Sequence, residues 1–388
     1  MSGNEDGSEA VEQRVRACLA ERGATPEEVD AALAHGRIEL LALDCVALPG
    51  PGRYTPAEVA DRSGLPADLA NRLWLALGFP TVGDDERAFG DHDIAALASL
   101  SQLMALGVTD AGTSVQFARV IGSAMARVAD AEVSAQPQQR PNRDEQLAFA
   151  EFLLSDPDAF FGRMSELLGY VYRRHLHAAA RRAALADRVD AAGTVVSLTV
   201  GFADLVGYTA LSSQLSDEAL GYLVSHFEEL ARDAVTSGGG RVVKMIGDEV
   251  MFVVEDPAAA ARIALTLADV FADDDVLSDV RVGLACGPVL TQEGDHYGTV
   301  VNLASRLVNV AYPGTVVASE DVHRALEDDP ELAWRSLRTR HLKDFGSVPL
   351  WVLYRAGDEP RTGRRRFRPL RTLLSEAGFQ RAERHPGG

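Results

Sequence analysis

Two aspartates stand where predicted strands meet turns, and these side chains are candidates for metal chemistry. Asp204 follows the buried-type strand TVVSLTVGFA at 194–203, and Asp248 occupies the tip of a predicted hairpin in KMIGDE. Hard divalent cations prefer carboxylate oxygens, and a pair of metal ions can activate one oxygen while holding another. Taken alone, each aspartate is more typical of an ordinary turn. The metal prediction therefore depends on the residues that accompany them.

A third polar segment, GDHYGTVVNLASRL at 294–307, leads from a loop into a predicted helix through Gly298. Asn302 and Arg306 are four residues apart, so they share one face of that helix and could act together on a phosphorylated ligand. The alternative is a solvated asparagine and arginine on the protein surface.

Lysine is nearly absent from the chain. Of the 38 basic residues, two are lysine, Lys244 and Lys343, and the other 36 are arginine. A coding bias explains the arginines and leaves open why two positions kept lysine.

The elements that position these residues form an α+β domain after residue 194. Strands alternating with helices around a hairpin predict a sheet with helices on one face, ferredoxin-like at its centre. The predicted strands are 194–203, two within 240–255, 279–285, 315–319, 332–341 and 348–355, and the predicted helices are 216–237, 257–271, 298–311 and 320–328.

The first part of the chain has helical periodicity. The pattern of residues 1–130 predicts a compact helical domain, and residues 132–145 are typical of an exposed linker. The apolar spacing after residue 160 predicts an amphipathic helix. Within the domain, 54–80 has the layout of a helix-turn-helix. A DNA-binding regulator is thus an alternative, although acidic residues balance the few arginines there.

Composition restricts the function classes. The 388 residues carry 38 basic and 57 acidic side chains, a net charge of −19, and 46% of them are hydrophobic. This describes an acidic protein of two or more domains, with no general attraction to nucleic acid. Three scattered cysteines argue against a disulfide framework or zinc cluster. No membrane span and no signal peptide are recognisable, so we expect a cytoplasmic protein.

Four motifs in order, FADLVGYT, KMIGDE, GDHYGTVVNLASR and HLKDFG, resemble those of class III nucleotidyl cyclases. The helical first part is similar to that of soluble mycobacterial-type adenylyl cyclases with an autoregulatory, pH-responsive N-terminal domain. The resemblance implies an all-helical regulatory domain followed by a ferredoxin-like cyclase catalytic domain. The predicted division is a regulatory domain at 1–145, a connecting amphipathic helix and linker at 146–193, the catalytic domain at 194–356 and an arginine-rich tail at 357–388.

The resemblance also implies a role for each candidate residue, and none of the motif positions is substituted. Asp204 and Asp248 match the carboxylates that hold two Mg²⁺ or Mn²⁺ ions, assisted by the backbone carbonyl of Leu205. The nucleotide contacts implied are Lys244 and Asp295 for the purine, Asn302 for the ribose, Arg306 for the transition state and Lys343 for the terminal phosphates.

Hydrogen-bonding chemistry independently favours ATP as the substrate. Adenine presents an acceptor at N1 beside a donor amino group at N6, which complements a cationic donor such as Lys244 and an acceptor such as Asp295. Guanine presents the reverse order, with O6 as the acceptor and N1–H as the donor, so it would leave this pair mismatched, and a buried unpaired polar group costs about 1–3 kcal/mol. We therefore expect conversion of ATP to cyclic AMP and pyrophosphate.

Spacing raises a question about assembly. Lys244 and Asp248 flank one tight hairpin, yet the first should contact a purine and the second a triphosphate. The solution implied by the family is a head-to-tail homodimer, in which each site takes its metal carboxylates from one chain and its nucleotide contacts from the other.

Regulation is expected from the N-terminal half. His175 and His177 lie beside Arg173, Arg174, Arg181 and Arg182 on the connecting helix, so protonation would add charge to a cationic stretch. Ordinary surface histidines are the alternative. The apolar N-terminal helices are also a candidate site for a lipid-like ligand. The rival function is a helix-turn-helix regulator whose cyclase-like half binds nucleotide without catalysis.

Overall fold

The computed structural model describes residues 2–47, 52–134, 142–185 and 195–358. The chain divides into two compact units, Met1–Arg181 and Arg182–Gly388. Part of the predicted linker at 135–141, residues 186–194 and the tail beyond residue 358 lie outside the described residues.

The first unit is helical, as predicted. Two of its helices begin at the capping boxes of Thr25 and Thr55, each followed by a proline, and a third begins at the capping box of Asn142. The helices that form or begin in this unit are α1 (Ser2–Glu21), α2 (Pro26–Ala34), α3 (Ile38–Ala47), α4 (Pro56–Ser63), α5 (Ala67–Ala76), α6 (Asp91–Ala105), α7 (Ala111–Ser134), α8 (Arg143–Ser155) and α9 (Pro157–Leu185).

Two hydrophobic clusters hold these helices together. One joins α1, α2, α3 and α8 around Leu19, Ile38 and Leu153, and the other joins α4 to α7 around Leu73 and Leu97. Because α8 completes the first cluster, it belongs to the helical unit. This differs from the predicted division after residue 145, since the sequence pattern around 132–145 indicated a linker and did not reveal which core the next helix joins.

The predicted order of a helix, a glycine turn and a second helix within 54–80 is present in the structure. Helices α4 and α5 are joined through Gly64, which has the left-handed φ of 71°. The arginines of this segment are engaged locally: the Arg62 guanidinium lies 4.5 Å from the Tyr54 ring centre, and Arg72 lies 3.9 Å from Asp68. These contacts favour a packing module over a phosphate-binding surface.

The second unit contains all of the predicted strands and helices, with two short additional elements, α10 and β5. The strands are β1 (Val195–Leu205), β2 (Arg241–Ile246), β3 (Glu249–Val254), β4 (Val280–Gln292), β5 (Asp295–Tyr297), β6 (Val316–Ser319), β7 (Leu332–Leu342) and β8 (Gly346–Arg355). The helices are α10 (Tyr208–Ser212), α11 (Asp217–Ser237), α12 (Pro257–Asp273), α13 (Thr299–Val308) and α14 (Glu320–Leu326).

The strands form one mixed sheet in the order β2-β3-β1-β4-β6-β8-β7, with β5 paired to β4 outside this order. The pairs β1 with β3, β1 with β4, and β2 with β3 are antiparallel, and β4 with β6 is parallel. Strand β4 continues well beyond its predicted end at 285, because its last residues form the hairpin with β5.

Helices cover both faces of the sheet, so the prediction of helices on one face was wrong. Helices α11 and α12 pack on one face around Phe227, Phe252 and Phe271, whereas α13 packs on the other against Val200 and Met251. The physical reason is that most of β1 is buried residue after residue, without alternation, as in a sheet covered on both sides.

A close approach fixes α13 to the sheet. A Cβ on Gly283 of β4 would lie 2.4 Å from the carbonyl oxygen of Ala304, so only glycine lets the helix sit this near the strand. The contact determines where the outer face of α13, with Asn302 and Arg306, is presented.

Among the residues that the structure describes, every helix is too short or too polar to span a bilayer.

Candidate active site

The two predicted metal carboxylates lie together at one end of the sheet. Asp204 is near the end of β1, and Asp248 is in the turn between β2 and β3, beside Gly247 with its φ of 64°. The backbone N–H of Leu205 donates to the carbonyl oxygen of Asp248 at 3.0 Å, which fixes the turn against β1. Burial, together with the adjacent carboxyl of Asp248, raises the pKa of Asp204 to about 6.

Glu249 is a third carboxylate at this end that the sequence reasoning missed. It pairs directly with Asp204 across β1 and β3, while Arg281 pairs with Asp204 from β4 on the other side. Burial and the charges of Asp204 and Asp248 raise the pKa of Glu249 to about 7. An acidic residue at the start of the otherwise apolar strand EVMFVV was the available signal.

The donor set at this end fits hard divalent cations. Three carboxylates lie near one another, with Arg281 opposite Asp204, and two of them have raised pKa values because they are buried and because their charges repel. Within the described part of the chain, no cluster of three or more His, Cys, Asp or Glu side chains has the arrangement to hold a metal ion alone. Asp204 and Asp248 would therefore need further oxygen ligands, for which the Leu205 carbonyl, water and phosphate oxygens are suitable.

Divalent cations are expected to raise the melting temperature at pH 8 and to have little effect at pH 5. With raised pKa values, Asp204 and Glu249 keep protons in the folded state that the unfolded chain releases near pH 4. Their contribution to stability is full below about pH 4 and is lost as pH rises through about 6 and 7. Above that range the carboxylates are free to bind cations.

Scanning fluorimetry with and without Mn²⁺ measures this effect. At about a hundred times Kd, bound Mn²⁺ adds about 2.7 kcal/mol of stability, which corresponds to several degrees. The Asp204→Asn/Asp248→Asn double variant is the control and should show no shift at either pH. An equal shift of the wild type at pH 5 and pH 8 would contradict the carboxylate assignment.

The predicted purine pair, Lys244 and Asp295, is brought together by the fold. The β4–β5 hairpin carries Asp295 to the edge strand β2, where the Lys244 Nζ lies 2.7 Å from one carboxylate oxygen and 3.0 Å from the other. Burial acts to raise the pKa of Asp295, but hydrogen bonds from Lys244 and from the His296 backbone hold it below its usual value. The pair thus presents an ammonium donor beside an ionised acceptor.

The predicted ribose, transition-state and phosphate residues form a third group. Asn302 and Arg306 are exposed on the outer face of α13, and Arg306 lies 3.9 Å from Asp344. Asp344 follows Lys343 in the turn between β7 and β8, so the structure brings the Arg306 guanidinium and the Lys343 turn together.

The candidate residues therefore lie in three patches on one chain, which we name after the roles predicted for them. The carboxylate patch is Asp204 and Asp248, the purine patch is Lys244 and Asp295, and the phosphate patch is Asn302, Arg306 and Lys343. Large apolar side chains flank the purine patch: Ile246 is 48% exposed and Tyr297 is 49% exposed.

Two families match the sequence. Residues 191–353 match the adenylate and guanylate cyclase catalytic domain, and residues 5–137 match the adenylate cyclase regulatory domain. An adenylate cyclase of Streptomyces coelicolor is 38% identical over 283 residues, covering 70% of this chain and 71% of the relative. A pH-sensitive adenylate cyclase of Mycobacterium tuberculosis is 31% identical over 364 residues, covering 89% of this chain and 88% of the relative.

Among solved structures, the adenylyl cyclase CyaB from P. aeruginosa aligns with a TM-score of 0.38 and 23% identity, covering 43% of this chain and 96% of that one. The family match over residues 191–353 identifies a nucleotidyl cyclase catalytic domain within the second unit. The chain as a whole belongs to the adenylate cyclases that carry an N-terminal regulatory domain.

Proposed function

We propose that this protein converts ATP to 3′,5′-cyclic AMP and pyrophosphate. The observation that carries the proposal is the Lys244–Asp295 pair, whose ammonium and carboxylate lie 2.7 Å apart. With Lys244 at N1 and Asp295 at N6 the pair complements adenine, whereas guanine in the same orientation would set its N1–H against the ammonium and its O6 against the carboxylate. The names of the similar adenylate cyclases support the same substrate.

Each patch contributes a distinct role to the reaction. The ribose 3′-oxygen forms a bond to the α-phosphorus, the bond from that phosphorus to the pyrophosphate oxygen breaks, and the 3′ proton is released. Asn302 orients the ribose, Arg306 donates hydrogen bonds to the phosphoryl group as its charge develops, and Lys343 holds the terminal phosphates. Asp204, water and the substrate itself are the candidate proton acceptors.

The carboxylate patch is proposed to bind two divalent cations, Mg²⁺ or Mn²⁺. Asp204 and Asp248 would hold them with the carbonyl of Leu205. When bound, such cations lower the pKa of the attacking hydroxyl and neutralise the triphosphate. The raised pKa of Asp204, caused by burial and by the neighbouring Asp248, supports this assignment, because such a site favours a cation over an empty pair of charges.

The active site is proposed to form between two copies of the chain. Lys244 and Asp248 are four residues apart, but their partners are Asp295 and Asp204 respectively, in different patches. In the proposed head-to-tail dimer, a nucleotide that meets Lys244 of one chain through its purine places its phosphates at the carboxylate patch of the other chain. The exposed Ile246 and Tyr297 beside the purine patch supply apolar surface for a partner.

Product analysis tests the proposed activity directly. Incubation of the full chain with ATP and Mn²⁺ should yield cyclic AMP and pyrophosphate in equal amounts, with GTP converted at least tenfold less efficiently. Nucleotide binding without turnover would instead support the rival regulator that binds nucleotide without catalysis.

Activity is further proposed to respond to pH through the N-terminal half. Support comes from the similar pH-sensitive adenylate cyclase and from the exposed His175 and His177 on α9, beside exposed Arg173 and Arg174. Protonation of either histidine adds positive charge to an already cationic helix surface, which changes the packing that this surface can accept. The cytoplasmic location and the lipid-like ligand stay predictions.

The His175→Ala/His177→Ala double variant is expected to flatten the pH–activity profile. Allosteric coupling is typically about fivefold or more, so we expect wild-type activity to differ by at least that factor between pH 6 and pH 8. In the double variant this ratio should move toward one. The matched control is His35→Ala/His92→Ala, which removes two other exposed histidines of the helical unit and should keep the wild-type profile. An unchanged profile in the first variant would exclude these two histidines as the sensor.

A further inference from the structure

His296 is the buried member of the short strand β5. It is 3% exposed, whereas its neighbour Tyr297 is 49% exposed and Asp295 is half-buried. Alternation along a strand explains this pattern, because His296 points to the inner side of the hairpin and the residues beside it point outward. Of the three residues of β5, His296 is thus the one whose side chain anchors the strand.

Both ring nitrogens of His296 have partners on other strands. Nε2 lies 2.9 Å from Nη2 of Arg241, which belongs to β2, and Nδ1 lies 3.1 Å from Oγ1 of Thr291 on β4. Because a guanidinium can only donate, Nε2 must accept and Nδ1 must carry the proton. The neutral ring with hydrogen on Nδ1 is the state that satisfies both contacts.

The electrostatic surroundings favour the same neutral state. Burial and the charge of Arg241 lower the pKa of His296 to about 4, with Lys244 adding to the effect and Asp295 opposing it. A ring with this pKa is neutral near pH 7, which is the state in which Nε2 can accept from Arg241.

The contact between Arg241 and His296 lies next to the purine patch on both β2 and β5. Asp295 precedes His296 in β5 and accepts a hydrogen bond from the His296 backbone N–H at 2.8 Å, while Lys244 lies three residues after Arg241 in β2. The Arg241–His296 contact and the Lys244–Asp295 contact are thus two parallel bridges between the same two strands. Without the buried bridge, the contact between β5 and β2 would rest on the exposed ion pair, and an exposed ion pair is weak.

We propose that His296, held between Arg241 and Thr291, is a positioning residue that keeps Asp295 opposite Lys244 and thereby sets the preference for adenine. This inference rests on the proposed adenylate cyclase function. Neither His296 nor Arg241 needs to touch the nucleotide, because their effect passes through the position of the Asp295 carboxylate.

The test compares His296→Leu with His296→Gln in the full chain. Leucine removes both ring contacts, and we expect kcat/KM for ATP to fall about tenfold and the ratio of ATP to GTP efficiency to fall by a similar factor. The amide oxygen of glutamine can accept from Arg241, so this variant should recover most of the selectivity. Thr291→Val keeps the Arg241 contact and should change the ratio less than about threefold.

A second histidine supplies the control for loss of a packed ring. His323→Leu removes an imidazole that stacks 3.6 Å from the ring centre of Trp351, in a different part of the catalytic unit, and should leave the ratio of ATP to GTP efficiency unchanged. If His296→Leu keeps the wild-type ratio while the wild type makes cyclic AMP, the positioning role is wrong and the proposed function stands.

A readout independent of turnover completes the experiment. In ¹⁵N spectra of histidine-labelled wild type at pH 7, the His296 signals are those that disappear in His296→Gln. They should show a protonated Nδ1 and an unprotonated Nε2. A ring protonated on Nε2, or on both nitrogens, would overturn the inference even if the wild type had no cyclase activity.

Discussion

Mixing Asp204→Ala chains with Arg306→Ala chains is expected to restore cyclase activity that neither variant has alone. The activity of each single variant should fall about a hundredfold or more, since loss of a metal carboxylate or of a transition-state donor removes charge stabilisation from every site. In a heterodimer with shared sites, one site contains both substitutions and the other contains neither.

The size of the recovery follows from the symmetry. If chains exchange freely at equal concentration, about half of the dimers are heterodimers with one working site of two, so the mixture should reach about a quarter of wild-type activity. Measurement requires mixed variants, time for exchange and a cyclic AMP assay, with native mass spectrometry to show that heterodimers form.

The control mixes two variants whose substitutions lie in the same patch. Asp204→Ala with Asp248→Ala places both changes in the carboxylate patch, so each site of a heterodimer lacks one of the two aspartates and no activity should return. Recovery in this control, or failure of the first mixture when heterodimers are present, would count against a site shared between chains.

Local sequence patterns predicted most of the secondary structure and singled out Asp204, Asp248, Asn302 and Arg306, whereas the resemblance to cyclases was needed for Asp295 and for the roles of the two lysines. Alternation and turn chemistry located β2 and β3 around Gly247 and Asp248, and helical spacing placed Asn302 and Arg306 on one face of α13. These features depend on neighbours within a few residues, which is why a sequence pattern could locate them. The contact between Lys244 and Asp295 joins positions 51 residues apart, and only the resemblance to cyclases suggested it.

The features that the sequence reasoning missed depend on contacts between distant strands. Glu249 becomes part of the carboxylate patch's surroundings because β1 pairs with β3 in a register that places it opposite Asp204. His296 has no local signal, since its partners Arg241 and Thr291 come from two other strands. The second covered face of the sheet depends on Gly283, which admits α13 at close range.

Arg306→Ala is expected to lower kcat by a hundredfold to a thousandfold while KM for ATP changes by less than about threefold, because the proposed contact forms only as charge develops on the phosphoryl group. In the free chain the Arg306 guanidinium is exposed and lies 3.9 Å from Asp344, a pair worth about 1 kcal/mol or less. Such a pair leaves the arginine free to turn toward substrate. Initial rates over a range of ATP concentrations separate the two parameters.

Asp344→Asn is the matched variant for this prediction. Asp344 has a left-handed φ of 72°, which asparagine also tolerates, so the change removes the charge and preserves the turn that carries Lys343. If Arg306 acts in the transition state, releasing it from Asp344 should change kcat less than about fivefold, in contrast to its own removal. A large loss of kcat in both variants would mean that the Arg306–Asp344 contact supports the structure of the turn. An increase in KM alone in Arg306→Ala would mean that the arginine binds ground-state ATP rather than the transition state.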